Sequence, residues 1–181
     1  MAEQPTTKVD SQLDDAPTEP GEIRPLPTSD HSAEAVARGI ARMFARNDIW
    51  CLGEMPLRNN RRADLMGIDA KGHVIIVEIK VARSDLLGDG KWPDYLDHCD
   101  RFYWGVPPDL DRAPLEGEGY SPDSCGVIVA DGYDAEILRT APLLPLAAAR
   151  RKVEVERLAR AALRRHHGQI DARYAQAVNA K

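Results

Sequence analysis

Glu78 and Lys80 flank Ile79 inside a nearly unbroken apolar run, His73-Val74-Ile75-Ile76-Val77-Glu78-Ile79-Lys80-Val81. A run so rich in β-branched residues reads as a strand. Residues two apart share one face of a strand, so the carboxylate and the ammonium stand side by side. An interior strand does not accept an acid unless its charge is compensated. A second strand, Arg62-Ala63-Asp64-Leu65-Met66-Gly67-Ile68, precedes the first across Ala70-Lys71-Gly72. Those three residues suit a hairpin loop, with Gly72 able to take positive φ. Counting outward from the loop, Asp69 opposes His73 and Asp64 opposes Glu78. Two carboxylates facing each other repel. A divalent cation between them removes the repulsion and compensates the buried charge.

The trio suits phosphodiester hydrolysis. Asp64 and Glu78 are hard oxygen ligands for Mg2+, or for Mn2+, and the Ile79 carbonyl is a third donor nearby. Such an ion lowers the pKa of a bound water and polarises a phosphate. Lys80 would orient or deprotonate the attacking water, or stabilise developing negative charge. The tripeptide acid-x-Lys occurs three times, as Asp69-Ala-Lys71, Glu78-Ile-Lys80 and Asp89-Gly-Lys91. Only the second lies in an apolar strand with an acid on the strand opposite. The plainer reading, a solvated charge pair on an edge hairpin, fits poorly with Ile75-Ile76-Val77.

Other residues gather near this hairpin. Arg61 and Arg62 should point to opposite faces, with Arg62 on the face of Asp64, free to meet a phosphate or an acid. Lys91, Trp92 and Tyr95 open the next helix; a base with aromatics can hold phosphate and stack on a nucleobase, while Trp92 and Tyr95 at a spacing of three also suit a helix packed on the sheet. Asp85 and Asp89 would cap the connecting loop or add outer contacts to a metal. Residues 148–181 hold nine bases against three acids. This basic helix is expected to be solvated, to contact the DNA backbone, or to bind a second copy or another protein partner.

The elements that carry these residues alternate. An amphipathic helix follows Ser29–Ser32, with Ala33, Val36, Ala37, Ile40, Ala41 and Phe44 on one face, ending near Asn47. Strands are expected at Ile49–Leu57, 62–68, 73–81, Arg101–Val106 and Cys125–Ala130. A short helix is expected around Pro93–Cys99, a loop over 107–124, and the basic helix from Leu144 to about His166. This is an α/β arrangement. Residues 1–28 form an acidic, proline-rich stretch expected to be disordered; 29–145 form the domain and 146–181 the basic end. Cys51, Cys99 and Cys125 are odd in number, far apart and without a CxxC pair, so neither a disulfide framework nor a zinc ribbon is indicated. With no signal-like N-terminus and no membrane-length apolar run, a cytoplasmic protein is expected.

Arg61-Arg62-Ala63-Asp64 followed by Glu78-Ile79-Lys80 resembles the PD-(D/E)XK nuclease superfamily, with Ala63 in place of the proline. Together with Ser84-Asp85-Leu86, Asp89-Gly-Lys91-Trp92-Pro93-Asp94-Tyr95 and Cys99-Asp100-Arg101-Phe102-Tyr103, it is similar to the bacterial MmcB-like DNA repair proteins. The resemblance covers roughly residues 32–150. It implies a restriction-endonuclease-like αβββαβ core with a central mixed sheet flanked by helices, and metal-dependent DNA cleavage in the response to DNA damage. Asp64, Glu78 and Lys80 match the two acids and the lysine. Related nucleases often draw a further acid from the first helix, where Glu34 stands; Glu54 on the preceding strand is the alternative. A DNA-binding or scaffold protein on the same fold is the competing expectation.

Overall fold

The apolar run around Glu78 is the spine of a six-stranded sheet in the computed structural model, which describes residues 31–171. The strands are β1 (Trp50–Pro56), β2 (Arg62–Ile68), β3 (Val74–Ile79), β4 (Arg101–Val106), β5 (Cys125–Ala130) and β6 (Ala135–Arg139). They lie side by side in chain order. β1, β2 and β3 form an antiparallel meander, β3, β4 and β5 run parallel, and β6 returns antiparallel on β5. Every residue of β3 is buried, which is why its sequence is apolar without alternation.

Helices cover both faces. On one, α1 (Ala33–Arg46) sets Val36, Ile40 and Phe44 in a common cluster with Ile75, Val77 and Ile79. Its N-cap Ser32 accepts from the Ala35 N–H at 3.2 Å. On the other, a 3₁₀ segment (Trp92–His98) and α3 (Ala148–Ile170) cover Val74, Ile76, Phe102 and Trp104. A short α2 (Arg83–Gly88) leads from β3 into the 3₁₀ segment. The order α1-β1-β2-β3-α2-β4 is the expected αβββαβ core.

Several elements differ from the expectation. The short helix near Pro93 is 3₁₀, and α2 precedes it. β6 carries no apolar alternation to announce it, because it is a five-residue edge strand with little burial. The loop over 107–124 contains two single 3₁₀ turns. The last helix begins at Ala148, not Leu144. Asp100 is the reason: its carbonyl accepts from the Leu144 N–H at 2.9 Å and its Oδ1 from the Leu146 N–H at 2.8 Å. Its Oδ2 accepts from the Val74 N–H at 2.8 Å and from Arg151 Nε at 3.0 Å. One fully buried carboxylate thus ties β3, β4 and α3 together.

The basic helix is not simply a solvated face. Arg151 is turned in to Asp100, Arg157 pairs with buried Glu154 at 2.9 Å, and Arg165 reaches the Gly53 carbonyl at 2.6 Å. Glu154 also meets His98 at 2.9 Å. Cys99 and Cys125 are buried free thiols. No helix among the described residues is long and apolar enough to cross a membrane. The stretch 1–28, expected to be disordered, lies outside the described residues, as do 172–181.

Candidate active site

The hairpin register is the one counted from the sequence. Leu65 opposes Val77 and Ile68 opposes Val74. The Asp69 N–H donates to the His73 carbonyl at 3.1 Å, and Gly72 takes φ of 80°. Asp64 and Glu78 come next, one step beyond the last paired rung. There the ladder opens, and the Ile79 N–H donates to Asp64 Oδ2 at 2.7 Å. Glu54, opposite Asp64 on β1, adopts a left-handed φ of 54° between the pairs Gly53–Leu65 and Met55–Ala63. Beyond it the strands exchange faces: Met55, Leu57 and Ala63 join the cluster of Met66 and Ile76, although strict alternation would set Ala63 and Met66 on opposite sides. A non-glycine residue in that region costs on the order of 1 kcal/mol.

Glu78 and Lys80 point from the face of Val74 and Ile76, and both are buried. Lys80 Nζ lies 3.2 Å from Glu78 Oε1 and 2.8 Å from Asp89 Oδ2, with exposed Asp85 at 3.9 Å. α2 brings Asp89 there. The Tyr95 hydroxyl donates to the Arg62 carbonyl at 3.3 Å. These groups line a cleft of about 330 Å³ together with Arg61 and Lys91.

The sequence model of one family, described as DNA repair protein MmcB-like, matches residues 25–173. The chain belongs to the MmcB-like DNA repair protein family. Every residue of the cleft falls within that match. Among solved structures, the SPO1766 protein of unknown function from Silicibacter pomeroyi is 36% identical, with a TM-score of 0.69 over 82% of this chain and 95% of that one. No curated protein matches the chain significantly.

Electrostatically, the cleft of this MmcB-like protein is crowded with acid. Burial, then the Asp64 charge, push the Glu78 carboxyl up from its ordinary 4.5 to about 7, against the pull of Lys80. Burial likewise raises Asp64, more than the Ile79 N–H and Lys80 lower it. Burial alone would depress Lys80; its hydrogen bond to Asp89 and the charges of Glu78 and Asp89 outweigh that and hold its pKa above the ordinary value. Burial and the Glu78 charge keep the Tyr95 phenol protonated.

The donor set fits a hard divalent cation. Glu78 Oε2 is buried without a hydrogen-bond partner, as is Nε1 of Trp104, the register partner of Glu78 on β4. Among the described residues no three His, Cys, Asp or Glu side chains form a ready cage. The fit is therefore to an ion that takes one or two carboxylates and completes its shell with carbonyl, water and substrate oxygens, the habit of Mg2+. Asp64, Glu78 and the Ile79 carbonyl are the residues that would hold it, although Asp64 does not itself line the cleft and reaches it from behind, fixed on the Ile79 N–H.

The other expected site residues disperse. Glu34 is exposed on α1, the helix of the opposite sheet face, and does not line the cleft. Glu54 is exposed and pairs with Arg62 at 2.7 Å, although Asp64 still feels its charge. Arg61, not Arg62, lines the cleft, because the strands have exchanged faces by that point. Lys91 lines it as well. Trp92 is a core residue: it is 5% exposed, packs on Phe102 and Trp104, and donates Nε1–H to the Gly119 carbonyl. It presents no ring to a nucleobase. Tyr95 stacks on Phe102 in the core and also lines the cleft. The direct Asp89–Lys80 contact goes beyond the capping or outer role expected of Asp89; its signal was hidden in the unrecognised turn of α2.

Proposed function

We propose that this DNA repair protein is a metal-dependent deoxyribonuclease whose centre is Asp64, Glu78 and Lys80. The observation that carries the reading is the buried Glu78 carboxylate, one oxygen on Lys80 and the other unpartnered. A divalent ion bound there supplies Lewis acidity toward a phosphodiester. The protein's own groups do the rest. Asp64, anchored on the Ile79 N–H, presents its remaining lone pairs from a fixed position. Asp89 holds Lys80 in place and protonated, so Lys80 serves as a donor to developing negative charge and not as a general base. Lys91 at the rim holds the phosphate backbone of the substrate.

The test is cleavage of labelled duplex, single-stranded, nicked, flap and junction DNA with Mg2+ or Mn2+. Glu78→Ala and Lys80→Ala proteins with wild-type circular dichroism are expected to lose activity by about a hundredfold or more. Full activity in both refutes the reading. One observation favours a non-catalytic DNA-binding scaffold instead: Lys80 is already neutralised by Glu78 and Asp89 within the protein. Calorimetric titration with Mn2+ separates the two, since a folded protein that binds DNA but no metal is the scaffold.

A further inference from the structure

We infer that a second pocket beside the cleft seats a backbone phosphate of the same DNA strand, gripped by Arg58 and Arg150. The inference rests on the reading that the cleft acts on DNA. This pocket, of about 360 Å³, is lined by Arg58, Asn59, Asp94, Asp97, His98 and Arg150. The wall between pocket and cleft is an ion pair: Arg61, which lines the cleft, holds Asp94 Oδ2 through Nε at 2.9 Å and Nη2 at 2.7 Å. Asn59 Nδ2 fastens the same wall by donating to the Asp94 carbonyl at 2.9 Å.

The two arginines come from separate elements, Arg58 from the β1–β2 loop and Arg150 from the first turn of α3. Both are exposed. Neither guanidinium has an ion pair or a hydrogen bond among the described residues. Their neighbours differ. Arg61, Arg62, Arg151 and Arg157 are all spent on carboxylates. One of the pocket's two acids is spent too: Asp94 is neutralised by Arg61, while the His98 imidazole is turned to Glu154. Asp97 alone opposes the two free guanidinium groups, so the pocket keeps a net positive charge. Two planar five-donor forks facing one cavity match the non-bridging oxygens of a phosphodiester. Lys91, whose ammonium has no ion pair among the described residues, continues the track on the cleft side of the Arg61–Asp94 wall.

The experiment is fluorescence anisotropy of the full chain with a labelled oligonucleotide duplex in EDTA, across a salt series, so that cleavage plays no part. Truncating Arg58 and Arg150 removes no hydrogen bond or ion pair among the described residues. The Arg58→Ala/Arg150→Ala protein is expected to bind about tenfold or more weakly, with a plot of log affinity against log salt shallower by about one or more. The Arg58→Lys/Arg150→Lys protein should keep most of the slope, and Asp97→Asn should tighten binding. A double-alanine protein with wild-type affinity and slope overturns the inference, as does a wild-type protein with no salt-dependent DNA binding. Failure of the nuclease reading would appear separately, as DNA that is bound but not cut once Mg2+ or Mn2+ is restored.

Discussion

Replacing Glu78 by glutamine keeps the side chain's shape and removes its charge, so it isolates the electrostatic cost of the cleft. With no metal present, the folded protein holds the Glu78 proton up to about pH 7, against 4.5 in an ordinary glutamate. The folded state then binds protons more tightly than the unfolded chain. Stability is therefore greatest below the ordinary value, falls as pH rises between the two, and levels off above about pH 7. At about 1.4 kcal/mol for each tenfold change, the full cost is about 3 kcal/mol near pH 8 and about 1 kcal/mol near pH 5. Glutamine carries no such cost, and the pull of Lys80 on the carboxylate is already contained in the shift. In EDTA, Glu78→Gln is therefore expected to be more stable than wild type by about 3 kcal/mol near pH 8 and by only about 1 kcal/mol near pH 5, read from urea midpoints. Added Mg2+ should narrow the gap by stabilising only the wild type. A difference between the two proteins that is the same at both pH values, or a glutamine variant less stable near pH 8, refutes the argument.

Two further outcomes test the frame that carries the cleft. Asp100→Ala leaves Arg151 and the Val74 and Leu146 N–H groups without their shared acceptor. It should cost about 3–5 kcal/mol in urea unfolding, with α3 the first segment to exchange its amide hydrogens. Wild-type protection of α3 would show that the helix docks by other means. Gly39→Ala places a methyl group against the carbonyl oxygens of Asp131 and Asp134 where α1 crosses the β5–β6 turn. The helix propensity gained is worth about 1 kcal/mol, but the overlap should outweigh it and leave a net loss of about 1–3 kcal/mol. A variant more stable than wild type would mean that the turn yields without cost.

How much of this was legible in the residues follows from the range over which each feature is decided. β3, its hairpin register with β2, and the shared face of Glu78 and Lys80 needed only strand alternation and a count across a three-residue loop. α1 was legible for the same reason, as a period of apolar residues behind a serine cap. What lay beyond local rules was decided by tertiary contact. The left-handed Glu54 exchanges the strand faces, so Arg61 lines the cleft and Arg62 does not. The turn after α2 carries Asp89 onto Lys80 across a gap that no periodicity measures. Trp92 enters the core because Phe102 and Trp104 wait there, and Glu34 stays outside because α1 lies on the far face of the sheet. Half of the arginines that made the last helix look like a free basic surface are instead its anchors: Arg151 and Arg157 because buried Asp100 and Glu154 must find positive partners, and Arg165 on the Gly53 carbonyl. Alternation and turn chemistry act over a few residues and can be counted along the chain. Which distant charge meets which is settled only when the layers pack, because burial makes an unpaired charge costly enough to select its partner.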